Sequence, residues 1–201
     1  MSAPRPRLAP LPPGHSPELA DQFASFLKTL GFVPNSVLTM QRKPALVRAF
    51  VQMQAAIWSP DSKVDRGLKR LIAFAASRAA YDAYSMAHTA SGALHFGIEP
   101  AKLAALAGFR SSREFTETEK SALALAVAAS AVPNGVTDAL FSELRAHWSE
   151  EQTVEIVATV AMAGFLARWN GTMATPLEAE PQEVAERHLA PQGWSAGIHR
   201  A

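Results

Sequence analysis

No cysteine occurs anywhere in the 201 residues. That absence excludes disulfides, thiolate metal ligands and thiol nucleophiles, and with them any reaction that passes through a sulfenic acid. A surplus of one charge is missing as well: 19 Lys and Arg stand against 18 Asp and Glu, a formal charge of +1. Neither a basic face for nucleic acid nor an acidic tail is expected. Long hydrophobic runs are scarce too. The most apolar stretch, Thr153 to Leu166, spans about fourteen residues between a Glu-rich flank and Arg168-Trp169-Asn170, short of the roughly twenty needed to cross a bilayer. It reads as a core helix, and no membrane partner is expected. The start, Met1 to His15, is interrupted by Arg-Pro and Pro-Pro pieces, so no signal peptide is expected and the cytoplasm is the expected address. Period-two alternation between turn dipeptides is also absent, which leaves no strands and an all-α class.

What is present is apolar material for one core: 48% of the residues are hydrophobic, and one domain is expected. Five prolines among the first fourteen residues make residues 1–15 a flexible arm, with a domain over 16–190 and a tail over 191–201. Ser16-Pro17-Glu18 offers an N-cap, a first-position proline and a first-turn acid for a helix that stops at Gly31. A second helix starts at Pro44 and breaks at Ser59-Pro60. Val64 to Ala80 and Asp82 to Phe96 follow, with no Gly or Pro near Tyr81 to decide between one helix and two. Pro100 to Ala107 is short. Thr116 with Glu119 and Ser149 with Gln152 form capping boxes for helices reaching Ser130 and about Asn170, with Thr137 to Trp148 between them. The alanine-rich helices permit close helix packing and leave apolar surface for association of like subunits.

The polar residues of interest lie between Arg78 and His95. At about 100° per residue, Tyr81, Tyr84, His88 and His95 share one stripe, with Asp82 and Ser85 beside it. Ser85 one turn from His88 has the spacing of a nucleophile with its base, but no orienting group or oxyanion site is visible. His88 and His95 are about 10 Å apart along a helix and cannot share a metal, so neither a metal nor another cofactor is expected. His88 as a general acid or base suits proton transfer near neutral pH, with two phenols to orient it. Against this stands a histidine simply satisfied inside a packed helix pair. Glu119, Glu151 and Glu155 read as first-turn acids favoured by helix dipoles.

Several pieces in order resemble the carboxymuconolactone decarboxylase superfamily, which includes alkylhydroperoxidase D, over roughly residues 31–181. They are Leu30 to Ser36, Val64 to Ile72, Tyr84 with Ala87-His88-Thr89-Ala90, Phe115 to Lys120 and Phe165 to Asn170. The resemblance implies an alkylhydroperoxidase D-like helical bundle that assembles into oligomers. In redox members a glutamate precedes a Cys-x-x-Cys by twelve residues, and a histidine follows it and relays the proton. Without gaps, those places fall here on Arg70, Asp82 and Ser85, with His88 at the histidine. A one-residue gap puts Tyr81 and Tyr84 on the cysteines instead. Either way both sulfurs are lost and thiol peroxidase chemistry is excluded.

The decarboxylase branch works, by the same resemblance, through proton transfer on a lactone acid. It implies His88 as proton carrier, with Ser85 and Asp82 as its catalytic neighbours. Tyr81 and Tyr84 then contact substrate, and Arg70 receives a substrate carboxylate through its planar fork, the alternative for Arg70 being a surface residue paired with an acid. The expected function is therefore small-molecule binding or non-redox acid/base chemistry centred on His88. The alternative is a structural or interaction protein whose former site has become core.

Overall fold

A computed structural model describes residues 6–200. Ten α-helices run in order among them: α1 (Ala20–Leu30), α2 (Asn35–Met40), α3 (Pro44–Ile57), α4 (Arg66–Ala79), α5 (Ala83–His95), α6 (Pro100–Ala105), α7 (Glu117–Ala129), α8 (Asp138–His147), α9 (Glu150–Met173) and α10 (Ala179–His188). The described residues contain no strand, and no helix is long and apolar enough to cross a membrane. The all-α expectation holds.

The helix ends show where local chemistry decided the fold. Thr116 and Ser149 each accept from the amide three residues on, while Glu119 and Gln152 reach back to the cap amides, so both capping boxes form as expected. Ser16 does not cap; its hydroxyl donates to the Gln41 carbonyl, a 3₁₀ turn occupies Pro17–Leu19 and α1 starts only at Ala20. Between α4 and α5 the chain breaks in two. Tyr81 takes φ +55°, the Asp82 amide donates to the Ser77 carbonyl and the Tyr81 amide to that of Arg78. These two bonds make a Schellman stop, which ordinarily uses glycine. A bulky residue holds it here at a cost of about 1–2 kcal/mol.

α9 lies between two apolar clusters, with a buried face that runs from Thr153 to Asn170. On one side α4, α5 and α7 pack against it through Leu71, Ile72, Phe74, Ala87, Leu123 and Ile156, with Tyr84 inside the same cluster. On the other side α1 to α3 form a smaller cluster through Leu19, Phe23, Val37, Val47 and Phe50, resting on Met162 and Phe165 of α9. Trp58 packs against both clusters. Small residues at Ala73, Ala75, Ala76, Ala122, Ala124 and Ala126, all nearly inaccessible, bring α4 and α7 close together, as expected of alanine-rich faces.

A buried clasp joins the loop after α3 to the bundle. Lys69, 1% exposed, donates to the Ile57 carbonyl, to Ser62 Oγ at 2.9 Å and to Glu155 at 3.3 Å. Glu155 also accepts from the Ser62 hydroxyl and from the amides of Lys63 and Val64. The expectation that Glu155 acts as a helix-dipole acid is therefore corrected: it sits a full turn inside α9 and answers a buried ammonium, which would otherwise be an uncompensated charge.

The described residues near both termini are tied to the bundle. Residues 1–5 of the expected arm lie outside the described residues. From Arg7 onward the arm follows the fold: the Arg7 amide donates to the Met173 carbonyl, its guanidinium donates to the Gly171 and Thr172 carbonyls, and the Leu11 amide donates to Leu38. The segment expected as a tail returns over the start of α5, where Trp194 Nε1 donates to the Ala83 carbonyl and His199 is buried.

Candidate functional site

His88 lies in the middle of α5 and Tyr84 one turn before it, and their rings stack at 4.5 Å with a 29° tilt. This much follows from i, i+4 spacing on a helix. What faces them comes from far along the chain. α9 ends at Ala174 with φ +48°, and the loop through Pro176 and Leu177 delivers Glu178 to the N-cap position of α10. Glu178 does not cap its own helix. Its Oε2 lies 2.6 Å from His88 Nε2, and its Oε1 accepts from the Tyr84 hydroxyl at 2.8 Å and from the Asn35 amide at the start of α2. The Asn35 side chain donates to the Pro176 carbonyl and so holds the loop from the other side.

Three donors on one carboxylate fix its charge state. Burial pushes Glu178 up, but the His88 charge, its hydrogen bond, the Asn35 amide and the Tyr84 hydroxyl outweigh burial and leave it below the ordinary glutamate value. It is ionised at neutral pH. His88 must therefore present a proton on Nε2, and in the neutral imidazole Nδ1 carries the lone pair. Nδ1 makes no hydrogen bond among the described residues. Tyr84 is held well above its ordinary value, first by complete burial and then by the charge of Glu178, so it serves as a fixed donor and not as an acid.

A cavity of about 680 Å³ opens beside this group. Tyr84, Ser85, His88, Thr89, Gly92, His95 and Phe96 line one wall, Arg66, Arg70, Ala73 and Ser77 a second, and Phe26, Phe32, Val37, Phe50 and Trp58 a third, with Met162 and Leu166 of α9 and Glu180 and Val184 of α10 completing it. Phe32 meets the His88 ring edge-on at 5.9 Å. Arg70 reaches in over Gly92, where a Cβ would stand 3.1 Å from its Cδ; the glycine is what gives the guanidinium room. Its Cζ lies 3.8 Å above the Trp58 ring and 5.6 Å from the Phe96 centroid. Its Nε has no hydrogen-bond partner, and it forms no ion pair among the described residues. Burial, with Arg66 next to it, lowers the guanidinium to about 10, which leaves it cationic at neutral pH. A buried guanidinium without a carboxylate partner, Ser85 and His88 thus line one space.

The sequence-derived candidates divide accordingly. His88, Ser85, Tyr84 and Arg70 come together around the cavity. Tyr81 does not. The left-handed turn ends the helical phase before α5, and the Tyr81 side chain is 93% exposed, bordering a different, apolar groove with Val132 and Phe141. Asp82 is buried behind the cavity wall rather than in it, with both oxygens unpartnered and His199 Nε2 3.7 Å from Oδ1. Burial raises its carboxyl above the ordinary value, against the lowering influence of Ser85 and His199. His95 lines the far end of the cavity, its ring edge-on to Phe96 at 5.1 Å. Among the described residues no cluster of three or more His, Asp and Glu is arranged to hold a metal.

Glu178 and His199 were not legible as site residues. Glu178 follows Pro176 in a sequence with the look of an ordinary loop and helix start, and its partner is 90 residues away. The carboxylate facing His88 thus arrives from the C-terminal side of the fold, whereas the Arg70 position carries a cation.

Known proteins resemble this chain in sequence and fold to different extents. The family model described as the carboxymuconolactone decarboxylase family matches residues 44–128. The chain is 38% identical over 77 residues to the uncharacterized protein YnjA of Escherichia coli (strain K12), a match that spans 38% of this chain and 42% of that one. The crystal structure of the debrominase Bmp8 without ligand superposes with a TM-score of 0.82 and 34% identity, covering 89% of this chain and 96% of the other. A cysteine-to-alanine variant of Bmp8 in complex with 2,3,4-tribromopyrrole gives 0.85 and 33%, over 92% and 99%. An alkylhydroperoxidase AhpD core, an uncharacterized peroxidase-related protein from Ralstonia eutropha, shares the fold at a TM-score of 0.73 and 22% identity, over 85% and 88%.

Proposed function

Because the chain belongs to the carboxymuconolactone decarboxylase superfamily with its AhpD-like fold, in a form without the Cys-x-x-Cys pair, we propose that it binds a small molecule beside His88 and moves a proton without redox chemistry. The observation that carries this reading is the 2.6 Å contact of His88 Nε2 with an ionised Glu178 at the edge of a 680 Å³ cavity. A carboxylate that holds one imidazole proton leaves the other nitrogen as a base and stabilises the imidazolium formed on proton uptake. Tyr84 locks the carboxylate. Ser85 supplies a hydroxyl to the ligand, and Arg70 takes its anionic group.

Proton transfer then runs from a ligand C–H or O–H to His88 Nδ1, while Arg70 stabilises the negative charge that develops. Trp58, Phe32 and Phe50 exclude water and suit a flat ring. The debrominase Bmp8 is similar over nearly its whole length, and its variant is seen with a small halogenated pyrrole. This supports a flat heteroaromatic ligand as the first probe. Without a cysteine thiol, this chain is expected to bind such a molecule and leave its bromines in place. Assembly of like subunits belongs to the same proposal.

Calorimetric titration with 2,3,4-tribromopyrrole and with small planar carboxylic acids, alongside exchange of ligand C–H for deuterium, tests this function. The expected outcome is binding and exchange by the wild-type protein, both lost in His88→Ala with Tm within a few degrees. An absence of binding across the set, or a His88→Ala variant that simply unfolds, would instead favour a structural protein of the same fold.

A further inference from the structure

Three basic side chains surround one ring where α5 ends. Arg66 opens α4, and Arg70 lies one turn further along the same face. Their Cζ atoms stand 4.8 Å and 5.6 Å from the Phe96 centroid, and the His95 ring meets the same phenyl edge-on at 5.1 Å. All four residues line the cavity. None of the three basic groups forms an ion pair among the described residues.

The aromatic faces of Phe96 and Trp58 support the guanidiniums from the side, but they leave the in-plane N–H groups of each fork to find acceptors elsewhere. The buried Arg70 Nε has no partner. The carboxylates nearest in the fold are already engaged: Asp65 accepts from the Leu68 amide as the cap of α4, and Glu180, the one acid lining the cavity, accepts from the Ser91 hydroxyl. Burial and the neighbouring Arg66 charge lower Arg70 to about 10. An anion between the two guanidiniums would turn that repulsion into attraction. Gly92 keeps the space open, since a Cβ there would stand 3.2 Å from Arg70 Nε.

The arrangement also selects among anions. A carboxylate is flat, has two oxygens and is filled by a single guanidinium fork. Two forks one helical turn apart, with an imidazole beside them, match a tetrahedral group with three acceptor oxygens and nearly two negative charges at neutral pH, which a phosphate monoester supplies. Distance sets the rest of the ligand. Gly92 and Phe96 follow His88 by one and two turns, about 6–12 Å along α5, which leaves room for one aromatic ring between the base and the cations. Resting on the His88-centred reading, we propose that Arg66, Arg70 and His95 form a phosphate subsite around Phe96, and that the small molecule taken by the cavity is an aromatic phosphate monoester. Its ring fills the space beside Phe32 and Phe50 and turns its opposite edge to His88 Nδ1. Arg66 is then a specificity residue, which answers the second negative charge and stays away from the reacting atoms.

Calorimetric titration of the full chain at constant ionic strength with phenyl phosphate, benzoate and inorganic phosphate tests the subsite. The wild type should bind phenyl phosphate roughly tenfold or more tightly than either benzoate or inorganic phosphate. Arg66 is exposed, so Arg66→Gln should leave Tm unchanged; it should remove most of the preference for phenyl phosphate and leave the affinity for benzoate as it was. Arg66→Lys should restore part of the preference, as a point charge without the fork. Absence of phenyl phosphate binding, equal affinities for phenyl phosphate and benzoate, or a preference that survives Arg66→Gln would overturn the subsite. Inorganic phosphate bound as tightly as phenyl phosphate would do the same, because no ring would then be recognised. The proton-transfer reading fails separately. If no ligand C–H exchanges for deuterium while the Arg66-dependent preference persists, the subsite stands and the base does not; exchange of planar carboxylic acids without that preference leaves the base and removes the subsite.

Discussion

His88 keeps a free Nδ1 only as long as Glu178 remains an acceptor. Glu178→Gln tests this with almost no change of shape. An amide at that place donates to Nε2, so the proton moves to Nδ1 and the base is lost. The expected result is a switched imidazole tautomer in the nitrogen-15 spectrum and loss of ligand turnover, with the Tyr84 hydroxyl still bonded. pH acts through the same carboxylate. Glu178 is lowered in the folded state, so its favourable contribution is present above the ordinary glutamate value of about 4.3 and is lost as pH falls through the lower folded value. Tm measured from neutral to acid pH should therefore fall faster in the wild type than in Glu178→Gln. Gly92→Val places two methyls against Arg70 Cδ and should displace the guanidinium, weakening an anionic ligand while leaving His88 in place. Hydroperoxide with a thiol donor should give no turnover above background, for want of a cysteine thiol.

Helix ends were the most legible elements, because a cap is a local bargain between neighbours. Thr116 with Glu119 and Ser149 with Gln152 could be read directly, since both partners of each bond lie within one turn. Ser16 misled for the opposite reason: the Gln41 carbonyl, 25 residues away, outbid its own helix. The break between α4 and α5 escaped the sequence because the residue in the left-handed position is Tyr81 and not glycine. Tyr81→Gly should relieve that strain and stabilise the protein by about 1 kcal/mol, measured by urea unfolding. A loss of stability would mean that the exposed ring makes contacts outside the single chain. The side chains of α5 followed helical spacing, so Tyr84 and His88 were placed correctly relative to each other. Glu178 was invisible because loop geometry and not periodicity carries it to the site.

For the molecule as a whole, the resemblance gave the bundle, whereas composition alone gave only the class. The order of motifs from Leu30 to Asn170 held more information than any one of them, because each marks a position on a fold whose helices must meet in a fixed way. The ends of the chain were least legible: an arm rich in proline and a tail of mixed residues carry no period, yet Arg7, Trp194 and His199 all find partners on the bundle. Arg7 holds the last carbonyls of α9, immediately before the loop that carries Glu178. Deleting residues 1–12 should therefore raise amide hydrogen exchange across 171–178 well before it affects α4 or α7. Uniform loss of protection would show instead that the arm supports the whole bundle.

The 90 residues between His88 and Glu178 also set a schedule. Helices α3 to α7 can collapse while the ribosome is still adding α8 and α9, since domains fold as their chain emerges. The base is then already embedded in a packed wall, but its acid partner has not been made. A nascent or prematurely terminated chain that ends inside α9 would lack both part of the core and Glu178, and proton transfer would begin only when the segment from Glu178 onward arrives and closes over α5.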